Sequence, residues 1–479
     1  MTARIIDGQV FDAEQQARAI RDSAAADVAA ARSEEQRARA AAAAARAEAS
    51  RIRREAGLLA TGDGDGALTA VVGLLARARI RDVALGEIVH IARAAGAPLA
   101  AEIVGFRDDE VVLLPLGELH GVSPGAPVTA TGASLTFPCG PSLLGRVLDG
   151  IGRVADGGPP IDAPPWSVER PAPDAIARPS VDRPLTTGIR AIDGFLTLGE
   201  GQRVGVFAAA GAGKSTLLTQ LARTAAADVI VLGLVGERGR ELGDYLAALG
   251  PARARTVAVC ATSDAPSLLR VRAASTATAV AEYFRDAGQR VLLVLDSLTR
   301  VARAQREVGL SAGEPPARHG YPPSVFALLP RLVERAGTCG TGGGSITAVY
   351  AVLVAGDDLD EPIADEVRGI VDGHIVLDRR LAARGHFPPI DVVASVSRLF
   401  ERLAPPAQRE AATRVRAWLA RYEERRDLIQ MGAYKAGTDR ALDESIARQP
   451  AIERFLRQAA GEVSAAADTH LALASLTRV

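Results

Sequence analysis

A lysine and two carboxylates, each placed just beyond an apolar run, are the residues of this sequence best set for chemistry. Lys214 lies in the loop Ala208-Ala209-Ala210-Gly211-Ala212-Gly213-Lys214-Ser215-Thr216. The run Arg203 to Phe207 before it reads as a strand, and the residues after it open a helix. This is the phosphate-loop pattern, with Ala208 where the strict form has its first Gly. Small residues let backbone N–H groups curl around phosphate oxygens, and the helix N-terminus favours the anion. In that arrangement Lys214 reaches the β- and γ-phosphates, and the Ser215 hydroxyl ligates Mg2+. Lysine is scarce: of 56 basic residues only Lys214 and Lys435 are lysine. A lysine kept against such a drift to arginine points to a need for a compact ammonium, which a planar guanidinium does not meet.

The carboxylates are Asp296 and Glu237. Val291-Leu292-Leu293-Val294-Leu295-Asp296 is an apolar run ending in an acid, the Walker B form. A buried strand of that kind delivers Asp296 to its C-terminal edge, where open α/β sheets bind ligands. The expected role is to hold Mg2+, through water. Read alone, Asp296 could equally cap the next helix. Gly236-Glu237-Arg238-Gly239-Arg240-Glu241 follows another apolar run. Glu237 there is placed to polarise a water attacking the γ-phosphate, and Arg238 to steady the phosphates. On the residues alone, an exposed salt-bridge loop explains that segment as well.

These three loops need an α/β scaffold to bring them together. From about 186 to 400, strand-like runs (Arg203 to Phe207, Val229 to Val235, Val291 to Leu295, Ile346 to Val354) alternate with helical stretches. Runs apolar at every position suit strands buried on both faces, hence a parallel sheet. Residues 67–137 read as a small β-barrel, with short apolar runs such as Val111-Val112-Leu113-Leu114 between turns. The stretch 138–185 is rich in Pro and Gly and reads as an extended connection, counted with the nucleotide-binding unit over 138–400. Amphipathic helices fill 401–479, with Pro405-Pro406 as a break. Residues 1–60 form an Ala/Arg/Glu-rich arm: Phe11 to Glu55 contains neither Gly nor Pro. As a helix it spans about 65 Å at 1.5 Å per residue. Solvated helix and partner-binding arm are both open readings of it. Residues 61–66 are a Gly/Asp linker.

Composition narrows the function further. The chain has 479 residues, 48% hydrophobic and 24% charged, with a net charge of -1. No global basic field exists to hold nucleic acid, and the barrel offers at best Phe106 and Phe137 for base stacking. No apolar run approaches the roughly 18 residues of a membrane span. No secretory leader is recognisable. Cys139, Cys260 and Cys339 are scattered and odd in number, which fits a reducing cytosol.

Taken together, the motifs resemble the rotary-type ATPase family, and more narrowly the hexameric ATPases of type III protein secretion. The matching segments include Leu144-Gly145-Arg146-Val147-Leu148-Asp149-Gly150, Gly188-Ile189-Arg190-Ala191-Ile192-Asp193-Gly194 and Asp296-Ser297-Leu298-Thr299-Arg300. Gly320-Tyr321-Pro322-Pro323-Ser324-Val325-Phe326 and Gly373-His374-Ile375-Val376-Leu377 continue the likeness, which covers roughly 67–479. It implies a β-barrel, a RecA-like core and a helical C-terminal domain, assembled as a homohexamer. It implies that Arg398, in Ser395-Val396-Ser397-Arg398, is the arginine finger reaching a neighbour's γ-phosphate. It implies that Phe387 packs on adenine, where the family usually has Tyr. Read bare, these two are a surface arginine and a core phenylalanine.

The family's activity is ATP hydrolysis with Mg2+, energising export by releasing chaperones from substrates and unfolding cargo. Its expected partners are a central stalk, a stator-like regulator, the export gate and chaperone–substrate complexes. The expected location is the cytoplasmic face of the plasma membrane, held peripherally. Phe207-Ala208-Ala209-Ala210-Gly211 is similar to the injectisome branch, with flagellar export as the alternative. A catalytically idle docking platform is a further alternative, against which Glu237 speaks. Val354-Ala355-Gly356-Asp357-Asp358 and Gly369 depart from the family's usual residues. The first 60 residues, beginning Ala3-Arg4-Ile5-Ile6-Asp7-Gly8, are similar to the start of the stator-like regulator, normally a separate protein.

Overall fold

The computed structural model describes residues 65–340 and 343–478. The arm over 1–60 lies outside the described residues, as does the linker up to 64. Asp65 and Gly66, read as linker, already belong to the strand Asp65–Val72. Gly66 pairs with Val128, and a Cβ there would sit 2.6 Å from that of Ile80. Close backbone approach therefore explains the glycine, not a flexible connection.

Six strands close into a barrel: Asp65–Val72, Leu75–Arg79, Glu87–Ile91, Leu99–Arg107, Glu110–Pro115 and Pro127–Ser134. Their order around the barrel is first, second, fifth, fourth, third, sixth, and the sixth pairs back to the first. Alternate residues point inward, so Leu68, Val89, Ile91, Ile103, Leu113 and Val128 fill the interior. Phe106 is exposed, while Phe137 lies past the barrel and is buried against the nucleotide-binding core.

That core is a sheet of mostly parallel strands. In spatial order they are Ile390–Ser397, Gly373–Leu377, Arg203–Ala208, Ser345–Leu353, Arg290–Asp296, Val229–Glu237, Thr256–Thr262 and Val147–Asp149. Along one strand Ile230, Leu232 and Leu234 enter one apolar layer, and Val229, Val231 and Val235 the other. Each face is thus covered, and the strand is apolar at every position because it is buried twice. Both edges differ from the interior. Val147–Asp149, within the stretch read as an extended connection, pairs in parallel with Ala258–Cys260. Ile390–Ser397 runs antiparallel to its neighbour.

The C-terminal helices Pro406–Glu424, Arg440–Leu456 and Ala466–Thr477 pack on the short helix Arg190–Phe195. Phe195 meets Phe455 edge to face, with centroids 6.1 Å apart. Gln458 donates to the Gly188 carbonyl at 2.7 Å and accepts from the Arg190 N–H at 2.8 Å. At the other end, Arg272 bridges Glu102 of the barrel and Glu169 of the connection. Among the described residues no helix is long and apolar enough to cross a membrane.

Candidate active site

Parallel strands end at one edge, and Ala208, Glu237 and Asp296 are the last residues of three of them. The phosphate loop leaves Ala208 and turns at Gly211 and Gly213, with φ of +79° and +83°. Those are left-handed conformations that favour glycine, and Gly213 passes the chain directly into the helix Lys214–Thr224. Ala212 N–H donates to the Ala209 carbonyl at 3.2 Å, so the loop is closed on itself. Ala209 is buried, whereas Ala210, Gly211, Ser215 and Thr216 are exposed at the rim.

Lys214 is buried, and its Nζ contacts Asp296 Oδ1. The same ammonium stands 3.8 Å from Glu237 Oε1. Asp296 is 1% exposed, and the Lys214 ammonium is its ion-pair partner. Burial pushes the Glu237 carboxyl above its ordinary value of 4.5, and the Asp296 charge pushes the same way. Lys214 and Arg300 oppose the shift. A half-buried acid with a raised pKa beside a lysine is the electrostatic profile of a general base.

A cleft of about 450 Å³ opens beside these groups, between Lys214–Thr224 and the helix Gly239–Ala248. Ser215, Thr216, Glu237, Tyr245 and Asp296 line it. The acceptors facing it are oxygens, a donor set suited to a hard cation such as Mg2+. Among the described residues no group of three His, Cys, Asp or Glu forms a metal cage. Mg2+ commonly keeps waters and takes phosphate ligands instead, so a hydroxyl and one carboxylate fit it.

Comparison with known proteins finds family matches for three stretches of the chain. Residues 68–132 match the β-barrel domain model of the ATP synthase alpha/beta family, and 188–397 match that family's nucleotide-binding domain. Residues 404–475 match the T3SS EscN ATPase C-terminal domain. A type 3 secretion system ATPase of Xanthomonas euvesicatoria is 49% identical over 430 residues, 89% of this chain and 97% of that protein. The chain belongs to the type III secretion ATPase family. It is accordingly an enzyme that binds and hydrolyses ATP. A flagellum-specific ATP synthase of Treponema pallidum (strain Nichols) is 51% identical over 416 residues, covering 86% of this chain and 93% of its own length. The structure of the assembled ATPase EscN from the enteropathogenic E. coli type III secretion system superposes with a TM-score of 0.82 at 42% identity, covering 86% of this chain and 99% of that one. EscN has also been solved in complex with its central stalk EscO, with a TM-score of 0.79 to this chain at 42% identity, covering 86% of it and 99% of EscN.

In this type III ATPase the residues expected from sequence separate into a cluster and three outliers. Ser215, Glu237 and Asp296 line one cleft, and the Lys214 ammonium pairs with both carboxylates. Phe387 is half exposed, and its Cε1 stands 3.9 Å from where a Cβ on Gly213 would lie. The ring therefore sits against the phosphate loop at Gly213, outside the lining of the cleft. Arg238 is exposed and faces Glu241 at 3.8 Å, outside the lysine–carboxylate cluster. Arg398 follows the antiparallel edge strand, and its guanidinium donates to the Arg368 carbonyl at 3.3 Å. Two residues at the site had no role assigned from sequence. Arg300 donates to Glu237 Oε2 at 3.1 Å and also bonds the Gly236 carbonyl. Tyr245 lines the cleft. The available signal for Arg300 was its place one helical turn after Asp296, which turns it back toward the strand ends.

Proposed function

We propose that this ATPase works as a homohexamer that couples Mg2+-dependent ATP hydrolysis to type III protein export. The observation that carries this reading is the cleft lined by Ser215, Glu237 and Asp296, with the Lys214 ammonium paired to both carboxylates. Backbone N–H groups of residues 209–216 cradle the phosphates, and Lys214 neutralises the β- and γ-oxygens. Ser215 and Asp296 would hold Mg2+, which would supply neutralisation of the phosphate charge. Glu237 accepts a proton from the attacking water, and its raised pKa suits that task. Phe387 offers its exposed face to adenine. Arg238 steadies phosphate from the rim after a change of rotamer.

Arg398 completes the site of a neighbouring subunit rather than its own. Its place at the far edge of the sheet, apart from the Lys214 cluster, supports action in trans. The proposed partners are a central stalk, a stator-like regulator, the export gate and chaperone–substrate complexes. Turnover releases chaperones and unfolds cargo at the cytoplasmic face of the membrane, with peripheral attachment through those partners and no nucleic acid involved. The injectisome branch is favoured by Phe207-Ala208-Ala209-Ala210-Gly211. Flagellar export stays as a second reading because a flagellar relative is 51% identical.

The test is ATPase rate per subunit against protein concentration, with Lys214→Ala as the blank. Specific activity should climb with concentration and then level off. Activity no higher than the blank at every concentration would sink the reading.

A further inference from the structure

One hydroxyl in the cleft has no part in the reaction as laid out above. Tyr245, on the helix that follows the Glu237 loop, is 8% exposed. Its Oη is buried and makes no hydrogen bond of ordinary geometry. The Thr219 hydroxyl beside it donates to the Ser215 carbonyl at 2.8 Å and keeps its lone pairs, but no bond between it and the phenol has ordinary geometry. Tyr350 Oη is also unpaired, but Tyr350 does not line the cleft. A buried, unpaired hydroxyl costs free energy that phenylalanine in the same place would avoid. Its presence in the wall of a catalytic cleft asks for a use.

The use follows from what surrounds it. Tyr245 shares the cleft wall with Asp296 and Glu237. Burial and the charges of Asp296 and Glu237 hold the phenol above its ordinary pKa, so it stays an O–H donor throughout the physiological range. Asp296 in turn relies on the Lys214 ammonium. When Lys214 turns to phosphate oxygens, Asp296 gives up its ammonium contact and must be aimed at the metal and phosphates by other donors. A buried carboxylate that loses its partner is strongly destabilised.

We propose that Tyr245 is a positioning residue whose O–H is kept for Asp296, directly or through one water, and takes over as Lys214 turns to the nucleotide. The exchange keeps the Walker B carboxylate aimed at the reacting phosphates. It also ties the helix Gly239–Ala248, and with it the Glu237 loop, to occupancy of the phosphate loop. This inference rests on the proposed role of Lys214.

Tyr245→Phe removes the hydroxyl and keeps the ring. Three quantities are read on the full-length protein: melting temperature alone, its rise with the Mg2+ complex of a non-hydrolysable ATP analogue, and kcat and KM for ATP. The variant should melt at the same temperature or higher without nucleotide, because an unpaired polar atom is gone. Its nucleotide-induced rise should be smaller than in the unsubstituted protein. kcat should fall about tenfold, the size expected for one hydrogen bond to a charged group, and KM should rise in step with the weaker nucleotide-induced stabilisation. An unchanged kcat with an unchanged nucleotide-induced rise would make Tyr245 a ring filling space, and would overturn the proposal. A lower melting temperature without nucleotide would mean the hydroxyl is already bonded, and would overturn it as well. Lys214→Ala run beside it separates the two levels. If that variant keeps turnover and the nucleotide-induced rise, the reading of Lys214 has failed, and the exchange fails with it.

Discussion

Arg300 holds Glu237 and the carbonyl of Gly236 with one guanidinium. Nη2 donates to Glu237 Oε2 at 3.1 Å, while Nη1 bonds the Gly236 oxygen. Gly236 takes φ of +69°, and a Cβ there would lie 2.9 Å from Arg300 Cδ. The glycine thus makes room for the arm that aims the carboxylate. Arg300→Ala should lower kcat by about 10²-fold, the low end of what general-base catalysis contributes. Circular dichroism should still report a folded protein. An unaltered kcat would mean that Glu237 is aimed by something else.

Glu237 carries an opposed pair of expectations. Its folded pKa lies above the ordinary 4.5, chiefly through burial and then through Asp296. The protonated form is therefore bound more tightly by the folded state, and this group's contribution to stability declines as pH rises from the unfolded value through the folded one. At neutral pH the carboxylate is a cost, and Glu237→Gln should melt no lower than the unsubstituted protein. The same variant should lose about 10²- to 10⁴-fold in turnover, since an amide accepts no proton. In the unsubstituted protein the acid limb of the rate profile should fall above 4.5. A limb at or below the ordinary glutamate value would contradict the assignment of the base.

How far the sequence disclosed this site depends on what each residue has to do. The phosphate loop was legible because glycine and lysine there are demanded by backbone conformation and charge, both local properties. Asp296 was legible because its strand is buried on both faces and so reads as a continuous apolar run. Arg300 was hidden by composition: all but two of the 56 basic residues are arginine, so being an arginine distinguishes nothing. Tyr245 was hidden because its neighbours Thr219 and Asp296 come from other elements. The edge strand Val147–Asp149 is three residues long in a stretch rich in Pro and Gly, and only its pairing with Ala258–Cys260 makes it a strand. Phe387 and Arg398 carry no local signal, and the resemblance alone singled them out.

Away from the site, Arg335 and Glu282 form a bidentate pair at 2.9 and 2.7 Å, both almost wholly buried. Arg170 approaches the same carboxylate at 3.5 Å. Removing the guanidinium leaves a buried charge with one distant partner. Arg335→Met should cost about 3 kcal/mol in urea unfolding, the lower part of the range for a broken buried pair. The double variant Arg335→Met with Glu282→Leu should recover most of that, because the stranded charge is gone. A double variant as unstable as the single one would place the loss in packing instead.

The proposed action of Arg398 in trans makes a prediction that only a shared site can satisfy. Lys214→Ala spoils the site a subunit carries on its own phosphate loop. On that proposal Arg398→Ala should spoil the site of the neighbour, a loss of about 10³- to 10⁵-fold for an arginine finger. Each variant alone should therefore be nearly silent. Mixed before assembly, the two place some intact phosphate loops beside subunits with an intact Arg398, and those sites have every part. Activity should reappear in the mixture, peak near equal proportions and be absent when pre-formed oligomers are mixed without exchange. If Arg398 acted within its own chain, no mixing ratio would restore activity, because neither variant would ever own a complete site.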